Sequence, residues 1–408
     1  MKALLANYSL GREVWDRFKS KFRKQADGSH AVSIDLANVP SPPLVGPQWV
    51  KIRSILSGIS SMEEGLLLRH DPSVFAPFLS FPFVPGNEIM GIVTDMGDKV
   101  EGIELGQRVV VNPLLSCVPR GITPLCPSCS SGHPSACRSF AKGAIGPGVA
   151  IGACADTGGG WGDEVLAHSS QVRPIPPSVE SEQAILVPEF TRAVRAVLQF
   201  PPKPGDRVIV MGASSLGLLT LIALQRLGHN PYLIVVAEHA FEADLVRSMS
   251  DATVVMAHAA GSSYEEVAAL VAGAVRYPEV GHLTLEGGAD LVYETTGIQD
   301  RMEDAVRFTG ERKQLVLMNP TQTLGFDMAP LWLKGVGMQG TLFSGAESYQ
   351  EQTRETFDIA MDLVEAAGLP LGDLITHRFR MEDFRQGLSA LADRAASKAV
   401  KVVLTHVV

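Results

Sequence analysis

The feature that most constrains this 408-residue chain is an alternation of apolar segments that begins near Glu180. RVIVMG reads as a strand and SLGLLTLIALQRLG as a helix; PYLIVVAE and HAFEADLVRSM repeat the pair, and ADLVYETTG and QLVLMNP supply further strands. Strands separated by single helices are brought side by side by crossover connections, so the pattern predicts a parallel sheet with helices on its faces. Residues 1 to about 178 read differently. Short β-like runs (WVKIRSIL, IMGIVTDMG, QRVVVNPLL) stand between glycines and prolines, which predicts an antiparallel or barrel-like β domain. The tail from about Gly345 reads as a helix, SYQEQTRETFDIAMDLVEAAG, then LITHRFRMEDFRQGLSALAD, then a lone strand, AVKVVLTHVV. A lone strand needs an edge to pair with, and the N-terminal β domain offers one. The chain is long enough for two domains.

The turn after RVIVM is Gly212-Ala-Ser-Ser-Leu-Gly217, opening an apolar helix. Gly212 allows a tight turn, Gly217 lets helix and strand approach, and the helix N-terminus offers free N–H groups to a pyrophosphate. The middle glycine of the G-x-G-x-x-G pattern is replaced by Ser214. Strand before and helix after make Gly212, Ser214, Ser215, Leu216 and Gly217 candidate cofactor-binding residues. The second strand ends in Glu238, 21 residues beyond Gly217. A carboxylate there accepts both ribose hydroxyls and repels a 2′-phosphate, which favours NAD(H) over NADP(H).

Five cysteines are present, and four of them (Cys117, Cys126, Cys129 and Cys137) fall within 21 residues. In a reducing compartment such clustering points to metal. The net charge of −9 argues against a general nucleic-acid binder. No run of about 18 apolar residues suggests a membrane span, and the N-terminus lacks the apolar core of a signal peptide. The expected setting is cytoplasmic and the expected partner a small-molecule substrate. Residues 11–25 carry six Lys/Arg against two acids, with Trp15, Phe18 and Phe22 on one helical face. That segment reads as a docked surface helix, or as a lid or a site for an anionic partner.

Several motifs, in order, carry a resemblance to a family. Gly86-Asn-Glu88 and the following IMGIVTDMGDKVEGIELGQRVVV resemble a G-H-E motif with its G-D-R-V turn, here Gly106-Gln-Arg-Val109. Gly159-Gly-Trp-Gly-Asp-Glu-Val165 resembles G-G-F-A-E-Y-V, and GADLVYETTG the strand beneath the nicotinamide, which adds Thr296 to the candidate cofactor residues. ITHRF with MEDF resembles the C-terminal segment. Together they are similar to the zinc-containing medium-chain dehydrogenase/reductase superfamily. The resemblance implies an α/β protein: a GroES-like β domain at 1–178, a Rossmann doubly wound parallel-sheet domain at 179–344, and a segment at 345–408 that returns to the first domain. It also implies a homodimer or homotetramer.

The family's metal lobe spaces four cysteines as C-x2-C-x2-C-x7-C. Here Cys126, Cys129 and Cys137 keep the last three places and Thr123 holds the first. Cys117 is the candidate fourth ligand of a structural zinc, and His133 an alternative. The catalytic zinc ligands read as lost. Gly58-Ile-Ser-Ser-Met-Glu63 stands where the family has G-I-C-G-T-D, so Ser60 replaces the cysteine and Met62 the proton-relaying hydroxyl. Asn87 replaces the histidine, and Pro188 or Glu189 falls near the third ligand. Hydroxyl and carboxamide are poor zinc donors. No catalytic zinc is therefore expected, with a carboxylate-only site of Glu63, Glu88 and Glu189 as the alternative. Ser60, Asn87, Glu63 and Glu88 are the candidate catalytic residues, with Ser60 and Asn87 offering hydrogen bonds where the metal would sit. The expected activity is a zinc-independent NAD(P)H-dependent reduction of a conjugated carbonyl, an imine or a similarly activated carbon. Alternatives are an alcohol or polyol dehydrogenase, and a non-catalytic dinucleotide-binding protein.

Overall fold

The computed structural model describes residues 1–8, 32–61, 63–64, 76–257, 262–320, 327–367, 369 and 371–406. Met62 and the basic segment 11–25 lie outside these residues. Two compact units are formed, one from residues 1–188, 364–392 and 401–408, the other from 189–363 and 393–400.

In the first unit β1 (Lys2–Tyr8) and β2 (Val32–Asn38) form an antiparallel pair. The main sheet has seven strands. Its centre is β3 (Trp49–Gly58), followed by β4 (Ile89–Met96), β5 (Arg108–Val111), β6 (Glu164–His168) and β7 (Val172–Pro174). The inward side chains of β3 alternate as the period of a strand requires, with Val50, Ile52, Ser54 and Leu56 buried and Arg53 exposed. Trp49, Ile52, Ile89, Val109 and Val165 contribute to the core of this unit.

The second unit opens on α1 (Val187–Gln199), whose first two residues belong to the first unit. Then come β8 (Arg207–Met211), α2 (Ser215–Arg226), β9 (Tyr232–Ala237), α3 (Ala240–Met249), β10 (Thr253–Met256) and α4 (Ser262–Val271). A small hairpin, β11 (Ala274–Arg276) and β12 (Thr284–Glu286), precedes β13 (Ala289–Glu294), α5 (Gln299–Phe308), β14 (Thr309–Leu317), α6 (Ala329–Lys334) and β15 (Gly337–Gly340). The six-stranded sheet runs β10-β9-β8-β13-β14-β15, every pair parallel. The strand order reverses between β8 and β13, and such a switch point is where open parallel sheets bind ligands. Val208, Ile209, Val210 and Met211 are buried in succession, as a strand covered on both faces demands.

The tail departs from its sequence reading. A helix was expected to start at Ser348. Instead β16 (Ala346–Tyr349) and β17 (Gln352–Glu355) form a hairpin, and α7 begins only at Thr356, running to Ala367. Gln350 and Glu351 take left-handed backbone angles, φ 51° and 63°, which reverse the chain. After β18 (Ile375–Arg380) and α8 (Phe384–Ala392), β19 (Lys401–Thr405) lies between β18 and β3, with Val403 opposite Gly58.

The unit boundaries fall later than the breaks read at 178 and 344. The Arg108 guanidinium donates to the carbonyls of Pro176 and Val179, and Gln183 Nε2 to the Leu369 carbonyl at 2.6 Å, which ties residues 176–183 to the first unit. Arg195 and Gln199 bind Glu347, which holds the hairpin to the second. Among the described residues no helix is long and apolar enough to cross a membrane.

Candidate active site and metal lobe

The sequence Ser60-Ser-Met-Glu63 has the spacing of a capping box, and Glu63 behaves as one requires: Oε2 accepts the Ser60 N–H at 2.9 Å. The same oxygen accepts a short hydrogen bond from the Ser60 hydroxyl. Oε1 accepts the Gly86 N–H at 3.1 Å. Gly86 has φ 99°, and a Cβ there would lie 2.5 Å from Trp161 Cδ1, so only glycine delivers this N–H. Asn87 Nδ2 donates to Ser60 Oγ at 3.0 Å. The result is a directed chain, Asn87 amide to Ser60 hydroxyl to Glu63 carboxylate, in which all three residues are buried. Burial pushes the Glu63 carboxyl above its ordinary range, against the Ser60 and Gly86 hydrogen bonds that favour its charge.

Glu88, read beside these as a catalytic candidate, is engaged elsewhere. Its carboxylate meets Lys401 Nζ at 2.7 and 2.8 Å, both side chains almost wholly buried. It sits over Gly58, where a Cβ would fall 1.7 Å from Glu88 Oε2. Sequence reasoning missed Lys401, although a lone lysine inside AVKVVLTHVV was a signal that a buried charge needed a partner.

In the second unit Gly212 has φ 93°, and a Cβ there would lie 2.5 Å from Thr296 Cγ2. A Cβ on Gly217 would lie 2.2 Å from the Gly212 carbonyl oxygen. Gly212 thus makes the tight turn and Gly217 the close approach of helix to turn. Ser214 caps α2, Ser215 and Leu216 start it, and Glu189 accepts the Ser215 hydroxyl at 2.8 Å. Thr296 donates its N–H to Glu294 at 2.7 Å. Glu238, just past β9, pairs with Arg301 Nε at 3.2 Å, and Arg301 also meets Asp304 at 2.7 Å. The sequence reading did not anticipate Arg301, which comes from α5.

The metal lobe gathers Cys117, Cys126, Cys129 and Cys137, whose sulfurs all lie within 4.8 Å of one another. A tetrahedron with Zn–S near about 2.3 Å needs sulfurs spaced on this scale, so the set fits a closed zinc site. Cys117, the uncertain member by spacing, is part of it, and His133 is not. Among the described residues this is the cluster suited to a metal; the three carboxylates Glu63, Glu88 and Glu189 make no such group. Backbone N–H groups of Cys126, Arg138 and Ser139 point at the sulfurs of Cys117, Cys126 and Cys137. Burial opposes ionisation of Cys126, but its hydrogen bonds, led by the Arg138 N–H, bring it down to about 6. Beneath the lobe, buried Arg120 donates to the carbonyls of Leu115, Lys142, Ile145, Gly146 and Gly148. Nothing in the sequence marked Arg120 for this bracing role.

A GroES-like β unit and a parallel Rossmann-type sheet in one chain define an NAD(P)-dependent oxidoreductase. The chain belongs to the zinc-type medium-chain dehydrogenase/reductase superfamily: residues 46–177 match the alcohol dehydrogenase GroES-like domain and residues 215–365 the zinc-binding dehydrogenase family. L-threonine 3-dehydrogenase of Aeromonas hydrophila is 23% identical over 78% of this chain and 82% of its own. D-arabinitol dehydrogenase 1 of Uromyces fabae is 23% identical over 88% and 91%. The crystal structure of galactitol-1-phosphate dehydrogenase from Escherichia coli superposes with a TM-score of 0.71 at 20% identity, covering 99% of this chain and 100% of that one.

Proposed function

We propose that this enzyme oxidises a secondary hydroxyl of a small polyol or hydroxylated substrate, using NAD+ in preference to NADP+. The expectation of a conjugate or imine reductase gives way here to the alcohol and polyol alternative, because the relatives bear the names of dehydrogenases acting on hydroxylated compounds. The observation that carries the reading is the Asn87–Ser60–Glu63 chain, in which Ser60 and Asn87 stand where the resemblance puts two of the family's metal ligands. A hydroxyl wired to a buried carboxylate can take a proton from an alcohol: Ser60 Oγ accepts it while passing its own proton to Glu63. The Asn87 amide steadies Ser60 as charge develops. NAD+, when bound, would supply the hydride acceptor, and the Gly212–Gly217 turn, the α2 N-terminus, Glu238 and Thr296 would hold it.

Ser60 and Asn87 do not fit a zinc ion, whereas the four cysteines do. The expected zinc content is therefore one per chain, in the lobe. The deciding measurement is turnover of arabinitol, galactitol 1-phosphate and 2,3-butanediol with NAD+, alongside elemental analysis. NAD+-linked oxidation of at least one substrate with a single zinc is expected. Reduction of enones alone, or two zincs per chain, would overturn the proposal.

NADH should bind more tightly than NADPH, because Glu238 repels a 2′-phosphate even when partly neutralised by Arg301. Glu238→Ala should narrow the gap about tenfold, a change of about 1.4 kcal/mol, since the repelling carboxylate is then gone while Arg301 keeps only Asp304 as partner. Fluorescence titration showing NADPH preferred by the parent enzyme would reverse the assignment.

A further inference from the structure

The carboxylate at the end of β9 shares its place with a cation. Arg301, in the first turn of α5, brings Nε to 3.2 Å from Glu238 Oε1. Both residues belong to the second unit. In dinucleotide-binding sheets the 2′ position of the adenosine ribose lies beside a carboxylate so placed. Whatever stands at that position therefore meets Arg301 as well as Glu238.

The two partners are held very differently. Arg301 Nη1 is anchored by Asp304 Oδ2 at 2.7 Å, one turn further along α5. Asp304 is fixed in its turn: Oδ1 accepts the Tyr264 hydroxyl of α4 at 2.7 Å, and the Tyr264 ring packs edge-on to Phe308, 4.8 Å between centroids. Burial pushes the Asp304 carboxyl up, while the Tyr264 hydroxyl and the Arg301 and Arg307 guanidiniums favour its charged form. Arg307 is itself engaged with Glu303 and Asp327. The Glu238 side chain, 29% exposed, has only Arg301 as an ionic partner among the described residues. Glu242 holds the Glu238 backbone N–H at 3.0 Å and leaves the carboxylate alone. The cation is thus the fixed member of the pair and the carboxylate the movable one.

The pair is also incompletely joined. Among the described residues Arg301 makes its hydrogen bond through Nη1, to Asp304. The Nε–Nη2 edge, which faces Glu238 through Nε, makes none. That edge is a planar fork of N–H groups that matches phosphate oxygens two at a time. Without it, a 2′-phosphate would meet the Glu238 and Asp304 carboxylates alone and be repelled.

We propose that Arg301 is the specificity-determining residue of the dinucleotide site: its Nε–Nη2 edge takes a 2′-phosphate when Glu238 turns aside, so that the enzyme accepts NADP(H) as a second, weaker cofactor. The inference rests on the reading of Glu238 as the ribose ligand. Arg301 sets the width of the gap between the two cofactors, and Asp304 and Tyr264 hold it in place to do so.

Fluorescence titration of the full chain with NADH and with NADPH tests this. NADPH should bind the parent measurably. Arg301→Gln should weaken NADPH about tenfold or more, the scale of a lost charge-assisted hydrogen bond, and leave NADH within about twofold. NADH binding also shows that the variant is folded. Arg301→Lys keeps the charge without the fork and should recover part of the loss. In the Glu238→Ala background Arg301→Gln should still cost NADPH about tenfold. A parent that prefers NADPH would overturn the reading of Glu238. NADPH affinity unmoved by Arg301→Gln, or an equal loss of NADH, would overturn the role of Arg301.

Discussion

Lys401→Met will destabilise the protein by about 3–5 kcal/mol, the scale on which removal of one partner leaves a buried charge uncompensated. Lys401 and Glu88 are both almost fully buried, and the ammonium lies 2.7 Å from the carboxylate. Glu88 has no room to swing away, because its carboxylate rests on the Cα of Gly58 and its own backbone carbonyl accepts the Gly58 N–H at 3.2 Å. The methionine keeps the length of the lysine stem, so the loss is electrostatic and not a cavity effect. Adding Glu88→Met should restore most of the stability, since apolar replacement of a whole buried pair is often neutral or better. Urea denaturation of the parent, both single variants and the double variant measures this directly. A loss below about 1 kcal/mol in Lys401→Met, typical of an exposed pair, would refute the buried ion pair.

Ser60→Ala should lower kcat about 100-fold or more, the scale of losing a positioned proton-transfer group, while NAD+ affinity stays nearly unchanged. Asn87→Ala should do the same. The double variant should lose less than the product of the single losses, because both act through one hydroxyl. Glu63→Gln gives the more specific readout. Only ionised Glu63 can receive a proton, so oxidation should quicken as pH rises through its raised pKa, and the glutamine variant should lose that limb. Stability moves the other way. Below the ordinary carboxylate range Glu63 is protonated in both folded and unfolded chains. Between that range and its raised value only the folded state keeps the proton, so stability falls as pH climbs through the window. Full activity in the Ser60→Ala, Asn87→Ala double variant would remove both residues from the mechanism.

The alternation after Glu180 and the Gly212–Gly217 turn were legible because each rests on local constraints: periodicity, a left-handed glycine and a close helix–strand approach. The cysteine lobe was legible for the same reason, as its ligands crowd a short stretch. Pairings across hundreds of residues left less trace. Lys401 and Glu88 are 313 positions apart, and Arg120 is defined by backbone carbonyls, which carry no sequence identity. Glu88 stands apart from the Asn87–Ser60–Glu63 chain although it follows Asn87 directly, because neighbouring side chains at the start of a strand diverge. The late hairpin at 346–355 was hidden by residues of good helix propensity, and tertiary contacts of Glu347 overrode it.

Strand β19 completes the first unit's sheet from the far end of the chain, alongside β3. A ribosome makes residues 401–405 after every strand of the second unit's sheet, β8 to β15, has emerged. The later-encoded unit can thus finish its sheet first, while the earlier one waits with the β3 edge unpaired and Glu88 without its lysine. A nascent chain stopped before residue 401 therefore pairs a finished nucleotide-binding sheet with an open β edge, the kind of surface that chaperones and proteases recognise.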